Sequence, residues 1–315
     1  MSMLQDKRVF VAGAYGLVGS AFRRHQALSA ATLLIPRREQ LDVESQVQVE
    51  DFFRKESVDL VILAAAKVGG ILSNQSFPAD FIRSNLAIQC NVIDAAYRHG
   101  VRRLLFLGSS CVYPKFATQP ITEDQLLGGP LEPTNSAYAV AKIAGVEMCR
   151  AYNRQFGTSY QSVMPTNLYG PGDNFDLENS HVLPALLRKF HEARTSGATE
   201  VVLWGSGAPR REFLHVDDMA DACLCVLEKG RDEDLINIGC GEDIAIRDLA
   251  ELVRGIVGFT GRVRWDSSKP DGTPRKLLDV SRLRALGWRP RIDLATGIER
   301  TYEWFRENPA GRSQE

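Results

Sequence analysis

The 315-residue sequence predicts an α/β protein built on a doubly wound parallel sheet. From Lys7 to about Asn167, short continuous apolar runs alternate with longer stretches of helical periodicity, a pattern typical of βαβ units around a buried sheet. A glycine-rich turn follows the first apolar run, as in dinucleotide-binding sheets. We therefore expect a Rossmann-type domain as the larger part of the protein.

The elements of this sheet follow from the same alternation. The predicted strands are RVFVAG, TLLIP, DLVILAAA, RRLLFLGSS and YQSVMPTN. The predicted helices lie near residues 17–28, 44–56, 78–99 and 136–157. Each helix is long enough for the right-handed crossover that two parallel strands require.

The amino-acid composition changes after Asn167. The segment LYGPGDNFDLENSH is rich in Gly, Pro, Asn and Asp, which predicts a loop. A helix is expected from about Val182. A helix from Val216 to about Glu228, followed by the strand LINIG, indicates a return to the sheet. Short helices and loops are expected over 241–315, which end in the amphipathic segment IDLATGIERTYEWFRE. The predicted domains are a dinucleotide-binding domain of residues 1–167 plus about 212–240, and a smaller, discontinuous α/β substrate lobe of about 168–211 plus 241–315.

The composition excludes several classes of function. Lys and Arg number 38 against 39 Asp and Glu, so no overall positive field exists to bind nucleic acid or an anionic membrane. No segment approaches the ~20 apolar residues of a bilayer span, and no signal-type region precedes the first strand. The six cysteines form no CxxC pair, so neither a metal site nor a disulfide framework is expected. These features predict a cytoplasmic protein with a local small-molecule site.

A phosphate-binding turn is predicted at residues 13–19, GAYGLVG, between the first strand and the first helix. Glycines at this junction let the turn close and the backbone approach a pyrophosphate, whose charge then lies at the amino end of the helix. A turn that needs glycine for structural reasons alone is the alternative. The cofactor contacts expected here are Gly13, Tyr15, Gly16, Leu17, Val18 and Gly19.

The second strand ends in Arg37 and Arg38, where a site that prefers NAD would place an acidic residue for the ribose 2′-hydroxyl. Guanidinium groups instead bind a 2′-phosphate through forked, charge-assisted hydrogen bonds. The sequence therefore predicts NADP(H), with a solvated arginine pair as the alternative.

Three residues that could act together on one oxygen atom follow the phosphate-binding turn. Tyr138 and Lys142 are four apart at the start of a predicted helix, which places both side chains on one face. An ammonium beside a tyrosine lowers the pKa of the hydroxyl, so Tyr138 could exchange a proton with a carbonyl or alcohol oxygen. Ser109, at the carboxyl end of the fourth strand, can hydrogen-bond that same oxygen.

Together these motifs resemble the extended short-chain dehydrogenase/reductase family, whose members act mostly on nucleotide-linked sugars. The stretches AAAKVGGI, LFLGSSCVYPK, LEPTNSAYAVAKIAG, REFLHVDDMA and SKPDGTPRKLLDV are similar to those of bacterial enzymes that epimerise and reduce a GDP-linked 4-keto-6-deoxyhexose. The resemblance covers nearly the whole chain. It implies conversion of GDP-4-keto-6-deoxy-D-mannose to GDP-L-fucose with NADPH, and it suggests a homodimer.

The resemblance also implies roles for particular residues. Ser109, Tyr138 and Lys142 correspond to the reductase triad, and Cys111 and His181 to the base and acid of epimerisation at C3 and C5. Cys111 without this match would be a core thiol more often than not, and His181 a loop histidine. Further cofactor contacts are expected from Leu107, Gly108, Pro165, Thr166, Asn167, Leu168 and His181, besides Tyr138 and Lys142.

The GDP moiety requires cations and an aromatic surface in the substrate lobe. The residues that match the family's nucleotide-sugar site, or could add charge to it, are Arg188, Lys189, Trp204, Arg211, Asp271 and Lys276. Two positions depart from relatives. Lys189 stands where some relatives have arginine, and a lysine there cannot form the bidentate hydrogen bonds of a guanidinium. In the phosphate-binding turn, Ala14-Tyr15 stands where some bacterial relatives have His-Arg, so one possible ligand of the 2′-phosphate is missing.

Other functions remain open from sequence alone. A GDP-L-colitose synthase would use the same machinery on a 3-deoxy substrate. A 4,6-dehydratase would usually place an acidic pair where Ser110-Cys111 stands, and a 4-epimerase an acidic residue at the end of the second strand. A nonenzymatic NADP(H) sensor on this fold would commonly lack the tyrosine-lysine pair.

Overall fold

A computed structural model describes residues 3–177, 180–230, 234–269 and 271–308. The strands are β1 (Arg8–Ala12), β2 (Thr32–Leu34), β3 (Leu60–Leu63), β4 (Arg103–Leu107), β5 (Ser159–Pro165), β6 (Asn167–Tyr169), β7 (Glu200–Trp204), β8 (Arg210–Arg211), β9 (Phe213–His215), β10 (Leu235–Ile238), β11 (Ile244–Ala245), β12 (Arg262–Asp266) and β13 (Arg275–Lys276). The helices are α1 (Leu17–Arg24), α2 (Gln46–Lys55), α3 (Ile71–Ser76), α4 (Pro78–Arg98), α5 (Ser136–Phe156), α6 (Val182–Ser196), α7 (Val216–Lys229), α8 (Ile246–Val257), α9 (Ser281–Ala285) and α10 (Leu294–Glu307).

The main sheet has six strands in the order β10-β5-β4-β3-β1-β2, and every neighbouring pair is parallel. The chain runs from β1 to β2 on one side and then returns to β3 on the other, so the direction of the crossovers reverses at β1. Ligands of open α/β sheets bind at such a switch point, beyond the carboxyl ends of the strands. The predicted fold class is confirmed, and it locates the site.

Helices cover both faces of this sheet, which explains why its strands are continuous apolar runs. Side chains alternate between the faces of a strand. Along β1, Phe10 therefore joins the core under α2, α4 and α5, whereas Val9 and Val11 join the core under α1 and α7.

The predicted return of the chain to the sheet is confirmed. Strand β10 pairs with β5, with Leu235 opposite Ser162, and α7 packs beside α1. A hydrogen bond of 2.6 Å from Arg24 Nε to Asp217 Oδ1 links these two helices.

A third apolar core is formed by α6, β7, α8 and α10 around Leu187 and Phe190. Leu283 and Trp288 lie outside it and pack in the core under α1 and α7. The division into two lobes with the stated bounds stays a prediction. No helix in the described part of the chain is both long and apolar enough to cross a membrane.

Two predictions about the second half are wrong. The predicted loop does not begin directly after Asn167, since Leu168 and Tyr169 belong to β6, which pairs in parallel with β9. The segment 241–315 holds more regular structure than expected, with the 12-residue helix α8 and strand β12 paired with β7, whereas helix α10 lies within the amphipathic segment expected at its end. These strands are short or polar, and their partners are distant in sequence, so local periodicity gives no signal for them.

Candidate active site

The glycine turn after β1 forms a cradle whose glycines differ in their surroundings. A Cβ atom on Gly19 would lie 2.0 Å from the carbonyl oxygen of Gly13, so the packing of α1 on the turn requires glycine there. A Cβ on Gly16 would meet only that same oxygen, at 3.6 Å. The absence of a side chain at Gly16 therefore leaves space for a ligand and is not needed for packing.

Helix α1 begins directly at this space. Gly16 is its N-cap, and no side chain caps the first turn. The first amide groups of a helix lack intrahelical partners, and the helix dipole adds positive potential to them. The cradle thus fits a diphosphate, as a dinucleotide cofactor requires.

Two arginines lie against the aromatic ring of this cradle. The guanidinium carbon of Arg37 lies 4.3 Å from the ring centre of Tyr15, and that of Arg23 lies 4.5 Å from it. Arg38 is directed to Glu44, with 3.5 Å between Nη2 and Oε1, and its side chain is 65% exposed. Contact of Arg37 and Arg38 with a 2′-phosphate stays a prediction.

Ser109, Tyr138 and Lys142 come together at the end of β4. Helix α5 places Lys142 Nζ 5.9 Å from the ring centre of Tyr138, so the predicted common face is confirmed. The buried ammonium donates a 2.8 Å hydrogen bond to the carbonyl oxygen of Leu107. Ser109 follows two residues later and lies close enough to Tyr138 to affect its pKa.

The electrostatics of this triad differ from expectation. Burial lowers the pKa of Lys142 to about 7. Burial and the neighbouring Cys111 raise the pKa of Tyr138 above its ordinary value, although Ser109 acts in the opposite direction. The prediction that Lys142 lowers the pKa of Tyr138 is wrong for this structure, because desolvation dominates and favours the neutral form of both groups.

Cys111 lies in a cluster that stabilises its thiolate. Lys276 Nζ is 3.6 Å from the sulfur, and Cys111 N–H donates to Ser109 Oγ at 3.2 Å. Burial acts to raise the pKa of the thiol, but the charge of Lys276 and the side chains of Ser109, Lys276 and Asn135 outweigh it, so the pKa is lowered. A lowered pKa makes this cysteine a candidate base at neutral pH.

Lys276 reaches Cys111 through strand pairing. Strand β13 pairs in parallel with β8 and sets Lys276 opposite Arg211. The buried carboxylate of Glu212 accepts hydrogen bonds from Gly241 N at 2.7 Å and Leu278 N at 3.0 Å, which anchors the segment that carries Lys276. Lys276, expected at the nucleotide-sugar site, thus contacts the candidate base.

Arg211 lies in the same small sheet. Its Nη1 donates to the carbonyl oxygen of Thr273 at 2.6 Å. Burial lowers the pKa of Arg211, and the nearby Cys111 acts in the opposite direction. A guanidinium with so little water around it is suited to pair with an anionic ligand.

His181 is the N-cap of α6 and is exposed to solvent. The protein around its ring removes part of its hydration and lowers its pKa, which favours the neutral imidazole. Within the described ranges no hydrogen bond joins His181 to Cys111 or Tyr138. Its role as acid stays a prediction.

The expected nucleotide-sugar residues form two groups. Trp204, at the end of β7, is 66% exposed, and the ammonium groups of Lys189 and Lys269 lie 5.7 and 5.4 Å from its ring centre. Near it, Asp271 accepts hydrogen bonds from Ser206 N at 2.9 Å and Ser206 Oγ at 2.6 Å. This group offers an aromatic plate with a carboxylate and two cations.

Arg188 directly precedes Lys189 on α6. Its Nε donates to Glu192 at 2.7 Å, and Nη1 donates to the carbonyl oxygen of Phe175 at 3.1 Å. Burial lowers the pKa of Lys189.

The segment after β5 is fixed by hydrogen bonds to Glu212, the residue between β8 and β9. Thr166 Oγ1 and Asn167 Nδ2 donate to the carbonyl oxygen of Glu212 at 3.2 and 2.8 Å. Residues 165–168 therefore lie at the carboxyl edge of the main sheet, as does Gly108 after β4. Their contact with a cofactor stays a prediction.

Sequence reasoning missed Asn135 and Lys269. Asn135 stands directly before α5 and acts on Cys111, and its Oδ1 atom is buried without a hydrogen-bond partner among the described residues. Both lie in stretches that carry the family resemblance, but neither type has a chemical signature that singles it out.

The Rossmann-type sheet, the cradle and the Ser109-Tyr138-Lys142 group define a class of nicotinamide-dependent enzymes that exchange protons at an oxygen. The model of the NAD dependent epimerase/dehydratase family matches residues 9–239. The chain belongs to this family.

Individual relatives indicate a smaller group of enzymes within this family. The chain is 56% identical to GDP-L-fucose synthase 1 of Arabidopsis thaliana over 315 residues, covering 99% of this chain and 98% of the relative. It is 54% identical to GDP-L-fucose synthase of Escherichia coli strain K12, covering 97% and 98%. GDP-L-colitose synthase of Yersinia pseudotuberculosis is 36% identical, covering 95% and 97%.

A solved structure agrees with this grouping. The GDP-L-fucose synthetase of Naegleria fowleri bound to NADP superposes with a TM-score of 0.89 at 32% identity, covering 98% of this chain and 96% of that one.

Proposed function

We propose that the protein makes GDP-L-fucose. It epimerises GDP-4-keto-6-deoxy-D-mannose at C3 and C5 and then reduces the C4 ketone with NADPH. The observation that carries this proposal is that Ser109 acts on both Cys111 and Tyr138, so the candidate base of epimerisation and the candidate proton donor of reduction share one site.

The C4 ketone explains why one site suffices. The carbonyl acidifies the C–H bonds at C3 and C5, so a thiolate can remove a proton there. Cys111, with Lys276 3.6 Å from its sulfur, has the required ionised form available. His181 returns a proton to the opposite face of the ring.

Reduction uses the other half of the cluster. Tyr138 gives its proton to the C4 oxygen, and Ser109 hydrogen-bonds the same oxygen. The raised pKa of Tyr138 keeps the hydroxyl protonated and available as a donor. The cradle would hold NADPH, which would supply the hydride for C4. Lys142, held by its hydrogen bond to the Leu107 carbonyl oxygen, would bind the nicotinamide ribose.

The GDP moiety is assigned to the expected nucleotide-sugar residues. Trp204 stacks on the base, and Asp271 accepts hydrogen bonds from it. Arg188, Lys189 and Arg211 balance the diphosphate charge. Identity of 54–56% to the two GDP-L-fucose synthases, against 36% to the colitose enzyme, favours the fucose precursor as substrate.

Two further parts of the proposal concern the setting. All six cysteines, each within the described residues, are free thiols, which suits the reducing cytoplasm. A homodimer through α4 and α5 is proposed from family resemblance. Val140 on α5 is exposed and would contact the partner subunit in that dimer.

The test supplies purified protein with NADPH and either GDP-4-keto-6-deoxy-D-mannose or its 3-deoxy analogue, and identifies the products by NMR. We expect NADPH-dependent GDP-L-fucose from the first substrate at the higher kcat/KM. A higher kcat/KM with the 3-deoxy analogue would reassign the protein to colitose synthesis, and no turnover of either would contradict the proposal.

A further inference from the structure

Arg23 occupies a position that the catalytic scheme does not use. It lies in the last turn of α1, is exposed, and places its guanidinium carbon 4.5 Å from the ring centre of Tyr15. The adjacent Arg24 turns away and pairs with Asp217. Among the residues that the structure describes, no carboxylate forms an ion pair with Arg23.

A second guanidinium shares the same ring. Arg37, just beyond β2, lies 4.3 Å from the centre of Tyr15, so the two guanidinium carbons are at most about 9 Å apart. Both guanidinium groups lie on one aromatic ring, so a single anion beside that ring can pair with each of them. Tyr15 holds both groups beside the cradle, where the adenosine half of a dinucleotide lies.

We propose that Arg23 is a specificity-determining residue that binds the 2′-phosphate of NADPH together with Arg37, with Tyr15 as their common platform. The inference rests on the NADPH dependence of the proposed function. It also gives a role to Tyr15. Its aromatic ring stands where a possible phosphate ligand is missing, and it holds two other phosphate ligands, Arg23 and Arg37. Arg38, directed to Glu44, is secondary in this arrangement.

The chemistry favours this ligand over other anions. The ribose of a bound dinucleotide lies at the end of the second strand, where Arg37 stands. A phosphate monoester there offers three oxygens to two forks, and guanidinium groups bind phosphate bidentately. NADH has only a 2′-hydroxyl at this place, so it gains nothing from a second cation.

The test measures the Kd of NADPH and of NADH by cofactor fluorescence, without any sugar nucleotide. Arg23→Gln is expected to raise the Kd of NADPH about tenfold or more and to leave the Kd of NADH within about twofold. Arg23→Lys should fall between, since it keeps the charge without the fork. Arg24→Gln is the matched control and should bind both cofactors as the wild type does.

The platform is tested separately. Tyr15→Leu removes the ring and should weaken the binding of NADPH more than that of NADH, whereas Tyr15→Phe, which keeps the ring, should weaken it less than Tyr15→Leu does. The inference would be overturned if Arg23→Gln bound NADPH like the wild type, or weakened both cofactors equally. Wild-type protein that did not prefer NADPH over NADH would overturn it too.

Failure of the proposed function gives a different result. A protein that turns over no GDP-sugar, yet loses NADPH preference in Arg23→Gln, would retain the 2′-phosphate site and lose only the assigned reaction.

Discussion

Lys276 Nζ lies 3.6 Å from the sulfur of Cys111, although 165 residues separate the two in sequence. The pairing of β13 with β8 and the buried anchor Glu212 create this contact. It joins a cation to the candidate base of epimerisation, so the reactivity of Cys111 depends on a strand from the far end of the chain.

Replacing Lys276 by Met should therefore raise the pKa of Cys111. At a pH below the pKa of the thiol, a rise of one pKa unit reduces the thiolate fraction by up to about tenfold. Alkylation of Cys111 by iodoacetamide, followed on its peptide by mass spectrometry, should slow by about that factor. Lys269→Met, which removes a cation near Trp204, is the charge-matched control and should alkylate at the wild-type rate. Unchanged alkylation in Lys276→Met would show that Lys276 does not stabilise the thiolate.

Tyr138→Phe should separate the two half-reactions. The substitution removes the proton donor for the C4 oxygen and leaves Cys111 in place. General acid catalysis contributes typically 10²–10⁴-fold, so NADPH oxidation should fall by about 10² or more. Deuterium exchange at C3 and C5 should continue at a rate within a few-fold of the wild type. Loss of both would mean that Tyr138 is needed for binding or for epimerisation as well.

The buried ammonium of Lys142 should make stability depend on pH. Its folded-state pKa of about 7 lies below its ordinary value of 10.5, so the unfolded chain binds more protons between these pH values. The cost of charging Lys142 is complete below about pH 7 and declines as the pH rises toward 10.5. Lys142→Met should therefore gain more Tm relative to the wild type at pH 6.5 than at pH 9. Equal differences at both pH values would contradict this electrostatic account.

The cradle glycines should respond differently to alanine. Gly19→Ala places a Cβ 2.0 Å from the Gly13 carbonyl oxygen and should lower Tm by several degrees, since overpacking costs typically 1–3 kcal/mol. Gly16→Ala meets no such contact and should fold with a nearly unchanged Tm, but its NADPH Kd should rise. Thermal unfolding and cofactor titration of the two variants distinguish these effects. A large loss of stability in Gly16→Ala would remove the argument that its space serves a ligand.

The main sheet could be predicted because buried parallel strands are continuous apolar runs with helical stretches between them. Strand β1 and helix α5 are read directly from such patterns, and the spacing of Tyr138 and Lys142 places both on one face. The two-residue strands β8 and β13 have no such signal. Without their pairing, nothing local brings Lys276 to Cys111.

The electrostatics were also beyond local patterns. Desolvation depends on what packs around a group, and it raises the pKa of Tyr138 where the spacing alone suggests that Lys142 lowers it. Tyr15 shows the same limit, because its departure from relatives looks like the loss of a ligand until Arg23 and Arg37 are seen against its ring.

The claim that one site performs both steps is tested most directly by NMR of GDP-4-keto-6-deoxy-D-mannose incubated with the protein in deuterated water, with and without NADPH. The account predicts deuterium at C3 and C5 without NADPH, GDP-L-fucose only with it, and loss of exchange in Cys111→Ser but not in the matched thiol control Cys90→Ser. NADPH consumption without deuterium at C3 or C5, or full exchange in Cys111→Ser, would contradict it.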